Sequence, residues 1–577
     1  IAVGDDRNSG KSPGAPMASL AALLEAYDLE PGDTIYVDAG AYAVLRDLVI
    51  DAEDSGVTIK GPATGTALLD RGNRSTGTSV IRLAGADNVT LEGLSFTGGY
   101  YGVYAASGAD ADNLTIRDSV FFDAAGTGNT NRFVYLETSN DVATITGSTF
   151  MVTSSSTQYA IEIRAAATVT GTTVTDSTTS GTGIRTGGGT ISGNTVTGGS
   201  TGISVGGFGT VSDNDVSGQS STGIYAAASG GTLTVSGNRV RNLRGTGISG
   251  PSALVTANEV WNITGTGISG DTVTTNVVYL SGTGIASSGT IESNRVFANT
   301  TGIETSYNGQ IRGNTIYSNS VGISADRLFY GAIANNLVYA NTNTGILDVG
   351  SNWSDKDSHI VNNTIYQPVG DAIALSGRHA KIVENNIIQV DAGYAINVAN
   401  NAQASIASDY NLFHLTGDAA LARWQGADIA TLDSWQLVIG QDRGSRAADP
   451  QFIDIAGADG ILGYATEPVA GTAVIIDDGD AGFTTTGTWT SEAAGHDGDS
   501  LRGRYTSSST PTATAQWEFT DLEPGAFYEL AATWSPWSSA SSPDFRVTDN
   551  GVTVVTKEFD QRVAPDDFTA DGSAWER

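Results

Sequence analysis

An asparagine returns along this chain at an interval of about twenty residues. It occupies Asn194, Asn214, Asn238, Asn258, Asn276, Asn294, Asn314, Asn336, Asn363 and Asn385. Around it the pattern repeats: Ile or Val before it, an apolar residue just after it, and Gly-Ile a few residues later. One copy is Ile191, Asn194, Val196 and Gly202-Ile203. A fixed period with small variation means a coil of near-identical turns. Helix-pair repeats need more than about thirty residues, and the Leu-x-x-Leu-x-Leu signature of leucine-rich repeats is missing. The apolar positions are β-branched and alternate with Thr, Ser, Glu and Arg, which is strand chemistry.

The expected architecture is therefore an all-β parallel β-helix solenoid. Its turns stack at ~4.8 Å, so each position lies over its counterpart in the next turn. Where a turn bends inward, polar backbone is left near the core. A stacked Asn amide satisfies it and bonds to the next amide along the axis. Gly before Ile suits a corner that needs either positive φ or close backbone approach. In register, the Asn slot extends back to Leu94, Ser119, Ser148 and Thr172, and forward to Asp409. With one or two turns added near Ile35–Val37 and Val57, the stack should be ~80 Å long at ~4.8 Å per turn.

Composition narrows the function classes. Acidic residues number 62 against 29 basic ones, a formal charge of −33. Such a surface repels nucleic acid and anionic lipid. It suits Ca²⁺ or a saline setting, though nothing requires a cofactor. Cysteine is absent, which rules out disulfides and thiol chemistry. No apolar run reaches ~18 residues, so no membrane-inserting helix is expected in this segment.

The two ends of the coil carry family resemblances. Residues 1–45 contain Gly4-Asp5-Asp6, Asn8-Ser9-Gly10, Pro31-Gly32-Asp33-Thr34-Ile35-Tyr36-Val37, Gly40 and Tyr42. Together these resemble the N-terminal cap of bacterial right-handed parallel β-helix proteins of the pectate-lyase-like superfamily. Met17, Leu20, Leu23, Leu24 and Tyr27 fall at helical spacing and read as a short helix plugging the bottom of the coil. At the other end, Ser408–Phe413, Trp424, Trp435 and Ala448-Asp449-Pro450-Gln451-Phe452 resemble the closing segment of that superfamily. Asp449-Pro450 lacks the His and Glu of the epimerase DPHE motif, so that match is rejected.

Beyond about Thr466 the period stops. Ile475–Asp480, Trp489, Ala515-Gln516-Trp517, Leu522–Gly525, Trp534 and Asp560-Gln561 resemble the golvesin-type, xanthan-lyase-type domain. That resemblance implies a small, carbohydrate-binding-like β-sandwich. The expected organisation is a cap at 1–45, a right-handed β-helix at 46–465 and a sandwich at 466–577, continuing past Arg577. The whole reads as part of a larger exported protein.

The superfamily includes lyases, epimerases, glycosidases, phage spikes and adhesins, so fold leaves function open. Lengthened turns locate candidate sites: 29 residues from Ser119 to Ser148 and 27 from Asn336 to Asn363. The second holds Lys356 and His359, with Arg378 one turn later. A β-elimination on an acidic glycan needs a base and a cation to neutralise the uronate. Lys356 or His359 could be the base and Arg378 the neutraliser. The opposing reading is a solvated loop, with His359 pointing outward. Tyr100, Tyr101 and Trp353 are candidate sugar platforms. Asp110 and Asp112 could hold Ca²⁺ or merely form an acidic loop. Asp215, Arg239, Glu259 and Arg295 share one column and suit a surface charge ladder. The regular turns favour a structural or adhesive module at the bacterial cell surface, in contact with polysaccharide or with neighbouring protein copies. The alternative is a polysaccharide lyase or related enzyme on an acidic glycan.

Overall fold

A computed structural model of the chain describes residues 4–123, 131–326, 328–350, 356–456, 462–464, 474–493, 500–503, 513–520, 530–537, 543–549, 552–565, 568–570 and 573–575. These fall into two compact units, one reaching residue 456 together with 462–464, the other from 474 onward.

The first unit is a right-handed parallel β-solenoid of about 16 turns. Its strands pair in register with the turn below and the turn above. Thr190-Ile191-Ser192 lies over Thr210-Val211-Ser212, and Thr272-Val273-Thr274 lies over Thr290-Ile291-Glu292. The β-branched column Ile191, Val211, Val235, Val255, Val273 and Ile291 is fully buried. Inside the lower coil, Phe96, Phe121 and Phe150 stack with centroids 4.5 and 4.7 Å apart.

The amide column is real and internal. Asn276 donates its Nδ2 to Asn294 Oδ1 at 3.0 Å, and Asn258 N–H donates to Asn276 Oδ1 at 2.9 Å. Asn276 Nδ2 also donates to the carbonyls of Val255 and Thr274. Thr172, Ser148 and Ser119 continue the slot downward as expected. The top of the column is corrected by one or two residues. Asn386, not Asn385, carries the ladder, and Asn411, not Asp409, follows it. The reason is backbone shape. The residue preceding each ladder position takes a left-handed φ, as at Asn335 (56°), Asn362 (58°), Asn385 (58°) and Tyr410 (58°). Asn is tolerant of that conformation, so in Asn385-Asn386 the first residue makes the corner and the second enters the core.

A shorter second ladder, absent from the sequence reading, joins Ser281, Asn299, Asn319, Asn341 and Gln367. The Gly before Ile answers to close approach, not to positive φ. A Cβ on Gly247 would stand 2.5 Å from the Gly267 carbonyl oxygen of the next turn.

Both ends are sealed. Helix α1 (Leu20–Ala26) is capped by Ser19, whose Oγ accepts the Ala22 N–H at 3.1 Å. Its Leu20, Leu23 and Leu24, with Tyr27, pack on the open core. At the top, strand Leu412–Trp424 turns back on Ala427–Ile429 in antiparallel fashion. A second helix follows, α2 (Leu432–Val438), which the sequence reading did not include. Trp435 of α2 is fully buried and donates its indole N–H to Asp442 at 2.9 Å. Capping both ends removes the edges that an open β-stack would present for pairing.

The second unit contains antiparallel pairs. Phe483–Thr486 pairs with Thr514–Trp517, Trp489–Glu492 with Ser500–Gly503, and Asp544–Asp549 with Val552–Glu558. Trp534 donates its indole N–H to the Val563 carbonyl at 2.8 Å.

Candidate functional site

Most outward positions of the coil carry Ser, Thr or a single charge, as a solvated sheet requires. Two stretches depart from this. One stacks the rings of Trp261, Tyr279, Phe297, Tyr317 and Tyr339 on successive turns, with Phe297 and Tyr317 buried. The other lies lower in the coil. On four consecutive turns the register aligns Tyr101, Arg132, Tyr159 and Thr182 in one column and Tyr104, Tyr135, Glu162 and Arg185 in another. Because side chains one turn apart stand ~4.8 Å from each other, these groups form a continuous aromatic and cationic face. The Tyr101 and Tyr104 rings stack at 4.6 Å, and Tyr100 meets Tyr101 edge-on at 4.8 Å. The Arg132 guanidinium lies 4.3 Å from the Tyr135 centroid and 5.2 Å from that of Tyr159.

Glu162 organises this face from beneath. It is 1% exposed. Its carboxylate takes Arg132 Nε at 2.5 Å, with Arg164 and Arg185 at 3.5 and 3.6 Å. One carboxylate thus gathers three guanidiniums that would otherwise repel. Arg185 also donates to the Tyr159 hydroxyl at 2.9 Å. Burial pushes the phenols of Tyr101, Tyr104 and Tyr135 up from their ordinary value. The Glu137 carboxylate accepting the Tyr104 hydroxyl adds to the effect. These tyrosines are protonated donors at neutral pH.

Of the expected sugar platforms, Tyr100 and Tyr101 belong to this face, while Trp353 lies outside the described residues. Arg132, Tyr135, Tyr159 and Glu162 were not anticipated as a group. Their signal was the replacement of Ser and Thr by aromatic and Arg side chains at two outward positions over three successive turns.

The residues named for elimination chemistry are placed as follows. Lys356 is exposed and holds its ammonium 4.2 Å from the Tyr330 ring centroid. His359 points outward from strand Ser358–Val361, half-buried between Ala332 and Ile382 of the adjacent turns. Arg378 is exposed. Their sequence neighbours converge instead, inside the coil. Ser358 donates to Asp348 Oδ2 at 2.5 Å, and His379 Nε2 stands 3.7 Å from the same oxygen. Lys381 donates to the carbonyls of Gly377 and His379 at 3.3 and 3.1 Å, and its Nζ lies 3.4 Å from His379 Nδ1. All four side chains are buried. Burial pushes Asp348 up to about 6 and His379 down to about 4, and it lowers Lys381 as well. His379 is therefore neutral at neutral pH and forms no ion pair with Asp348. Strand parity foretells the split: Lys381 shares its column with inward Ser358, whereas His359 alternates outward.

Asp110 is exposed with a φ of 57°, and Asp112 is half-buried. Asp112 Oδ1 accepts the Asp141 N–H at 2.7 Å, while Asp112 N–H donates to Asp87 at 2.8 Å. That is a turn-to-turn carboxylate ladder. Among the described residues no three His, Asp or Glu side chains gather closely enough to hold a metal ion.

The class these features define is the right-handed parallel β-helix, and the family model described as the right handed beta helix region matches residues 132–278 and 252–410. No curated protein matches the chain. The Azotobacter vinelandii mannuronan C-5 epimerase AlgE6 A-module is similar at 12% identity, over 75% of this chain and 95% of that one, with a TM-score of 0.22. A mannuronic acid specific polysaccharide family 6 lyase from human gut microbiota is 11% identical over 74% and 88%, with a TM-score of 0.28. PfbA, a surface adhesin of Streptococcus pneumoniae, is 10% identical over 71% and 90%, with a TM-score of 0.23. Likeness at this level carries no argument about this chain.

Proposed function

We propose that this chain is an extracellular or cell-surface β-helix module of a larger bacterial protein, and that it contacts an acidic polysaccharide through the Tyr101–Arg185 face. The observation that carries the reading is the convergence of Arg132, Arg164 and Arg185 around Glu162 among four tyrosine rings. In a chain of net charge −33, a local excess of guanidinium is a specific device for recruiting anions. Planar guanidiniums pair with carboxylates, and aromatic rings supply apolar platforms for sugar rings. The regular coil serves as a rod that presents this face, and the second unit, read as golvesin-like, is an accessory module.

Binding is favoured over lyase catalysis by the phenols. Proton abstraction requires a base, and burial keeps Tyr101, Tyr104 and Tyr135 protonated. Titrating the chain with polygalacturonate and alginate oligomers tests the proposal. Arg132→Ala and Tyr101→Ala should each weaken binding about tenfold or more, the ~1–3 kcal/mol expected of a charge-assisted pair or a lost platform. Unchanged affinity in both variants would remove this face from consideration. Growth of unsaturated-uronate absorbance with the wild-type chain would replace the binding reading with the lyase one.

A further inference from the structure

The column of Tyr104, Tyr135, Glu162 and Arg185 does not stop at Arg185. It continues upward as Ser204, Tyr225, Ser249, Ser269, Ala286 and Glu304 on successive turns. No insertion interrupts this stretch at its upper end, where the turns from Asn258 to Asn276 and from Asn276 to Asn294 are 18 residues each. Ser249 lies three turns above Arg185, or about 14 Å at ~4.8 Å per turn. There the surface sinks into a trench of about 350 Å³. Its origin is a change in the inward column at the strand's end. That column carries Ile163 and Val205 lower down and Leu375 and Val398 higher up, but Gly250, Gly270 and Ser287 here.

The lining is hydroxylated and anionic. Ser249, Ser269 and Ser287 supply hydroxyls, and Asp271, Glu304 and Asp326 supply carboxylates. The three carboxylates do not converge as a metal set. Carboxylates accept hydrogen bonds strongly from hydroxyl donors and repel other anions.

We infer that this trench is a second sugar subsite on the same face, and that it takes an uncharged, hydroxyl-rich glycan segment. The inference rests on the glycan reading of the Tyr–Arg face and narrows it. The polymer served carries acidic residues at one end of the contact and neutral residues about 14 Å or more further along (at ~4.8 Å per turn). A uniformly charged polyuronate would engage the lower face and be turned away from the trench.

The test is calorimetric titration of the full chain with cellohexaose, xylohexaose and mannohexaose, and separately with a galacturonate hexamer. Ser269→Trp fills the trench from an outward position, and Glu304→Gln removes a carboxylate without changing shape. Binding of a neutral hexasaccharide should fall tenfold or more in Ser269→Trp and several-fold in Glu304→Gln, while galacturonate binding stays the same in both. The proposal is overturned if none of the three neutral sugars binds the wild-type chain, or if both variants bind as it does. Failure of the galacturonate hexamer to bind wild type would instead sink the acidic-glycan reading of the Tyr–Arg face.

Discussion

The buried Asp348–His379–Lys381 group makes a prediction about acid stability that depends on two titrations of opposite sign. Asp348 is raised from 3.8 to about 6. Between those values the folded chain holds a proton that the unfolded chain releases. Asp348 therefore contributes stability below pH 4 that is lost as pH rises to 6. A shift of about 2 units at 1.36 kcal/mol per unit is about 3 kcal/mol. His379 is lowered from 6.5 to about 4. Here the unfolded chain binds the extra proton, so stability rises with pH across 4 to 6.5, again by about 3 kcal/mol. The two slopes cancel, and the wild-type cluster contributes little pH dependence across that window. Single substitutions unmask each slope. Relative to wild type, Asp348→Asn should gain about 3 kcal/mol on going from pH 4 to 6.5, and His379→Gln should lose about as much. Denaturant unfolding of the three proteins at half-unit pH steps reads both effects, because exposed titrations common to all cancel in the differences. Parallel curves for the variants and wild type, or slopes of the same sign, would refute the cancellation.

Two further predictions concern the coil itself. Asn276→Ala removes the acceptor for two Asn258 donors. It should cost about 2–6 kcal/mol in denaturant unfolding, and Asn386→Ala about the same. Asn385→Gly, at an exposed corner of positive φ, should cost nothing or add a few tenths of a kcal/mol; the reverse order would return the ladder to Asn385. Gly247→Ala drives a methyl to 2.5 Å from a carbonyl oxygen and should lower stability by about 1–3 kcal/mol. Gly206→Ala, which meets nothing within 4 Å, should be neutral or raise the melting temperature slightly.

The coil was legible because its stabilising features repeat. An amide ladder requires the same residue at the same depth in every turn, so Asn194 through Asn363 declare the architecture by themselves. The slip at Asn385 shows where repetition stops deciding. Two adjacent asparagines satisfy the period equally well, and only the left-handed φ of the first settles which one is buried. The Tyr–Arg face was half-legible for a different reason. Tyr100 and Tyr101 are neighbours in sequence, whereas Arg132, Tyr159 and Arg185 join them only through register across turns of unequal length. Glu162 follows the same logic: alone in sequence it is one acid among many, and its role arises from three guanidiniums that reach it from three turns. Lys356, His359 and Arg378 were chosen by proximity in sequence; all three face outward, while strand parity carries their neighbours Ser358 and Lys381 into the core. In a solenoid the chemistry of a face is written down its columns, one residue per turn, so a site search has to follow the register before it follows the chain.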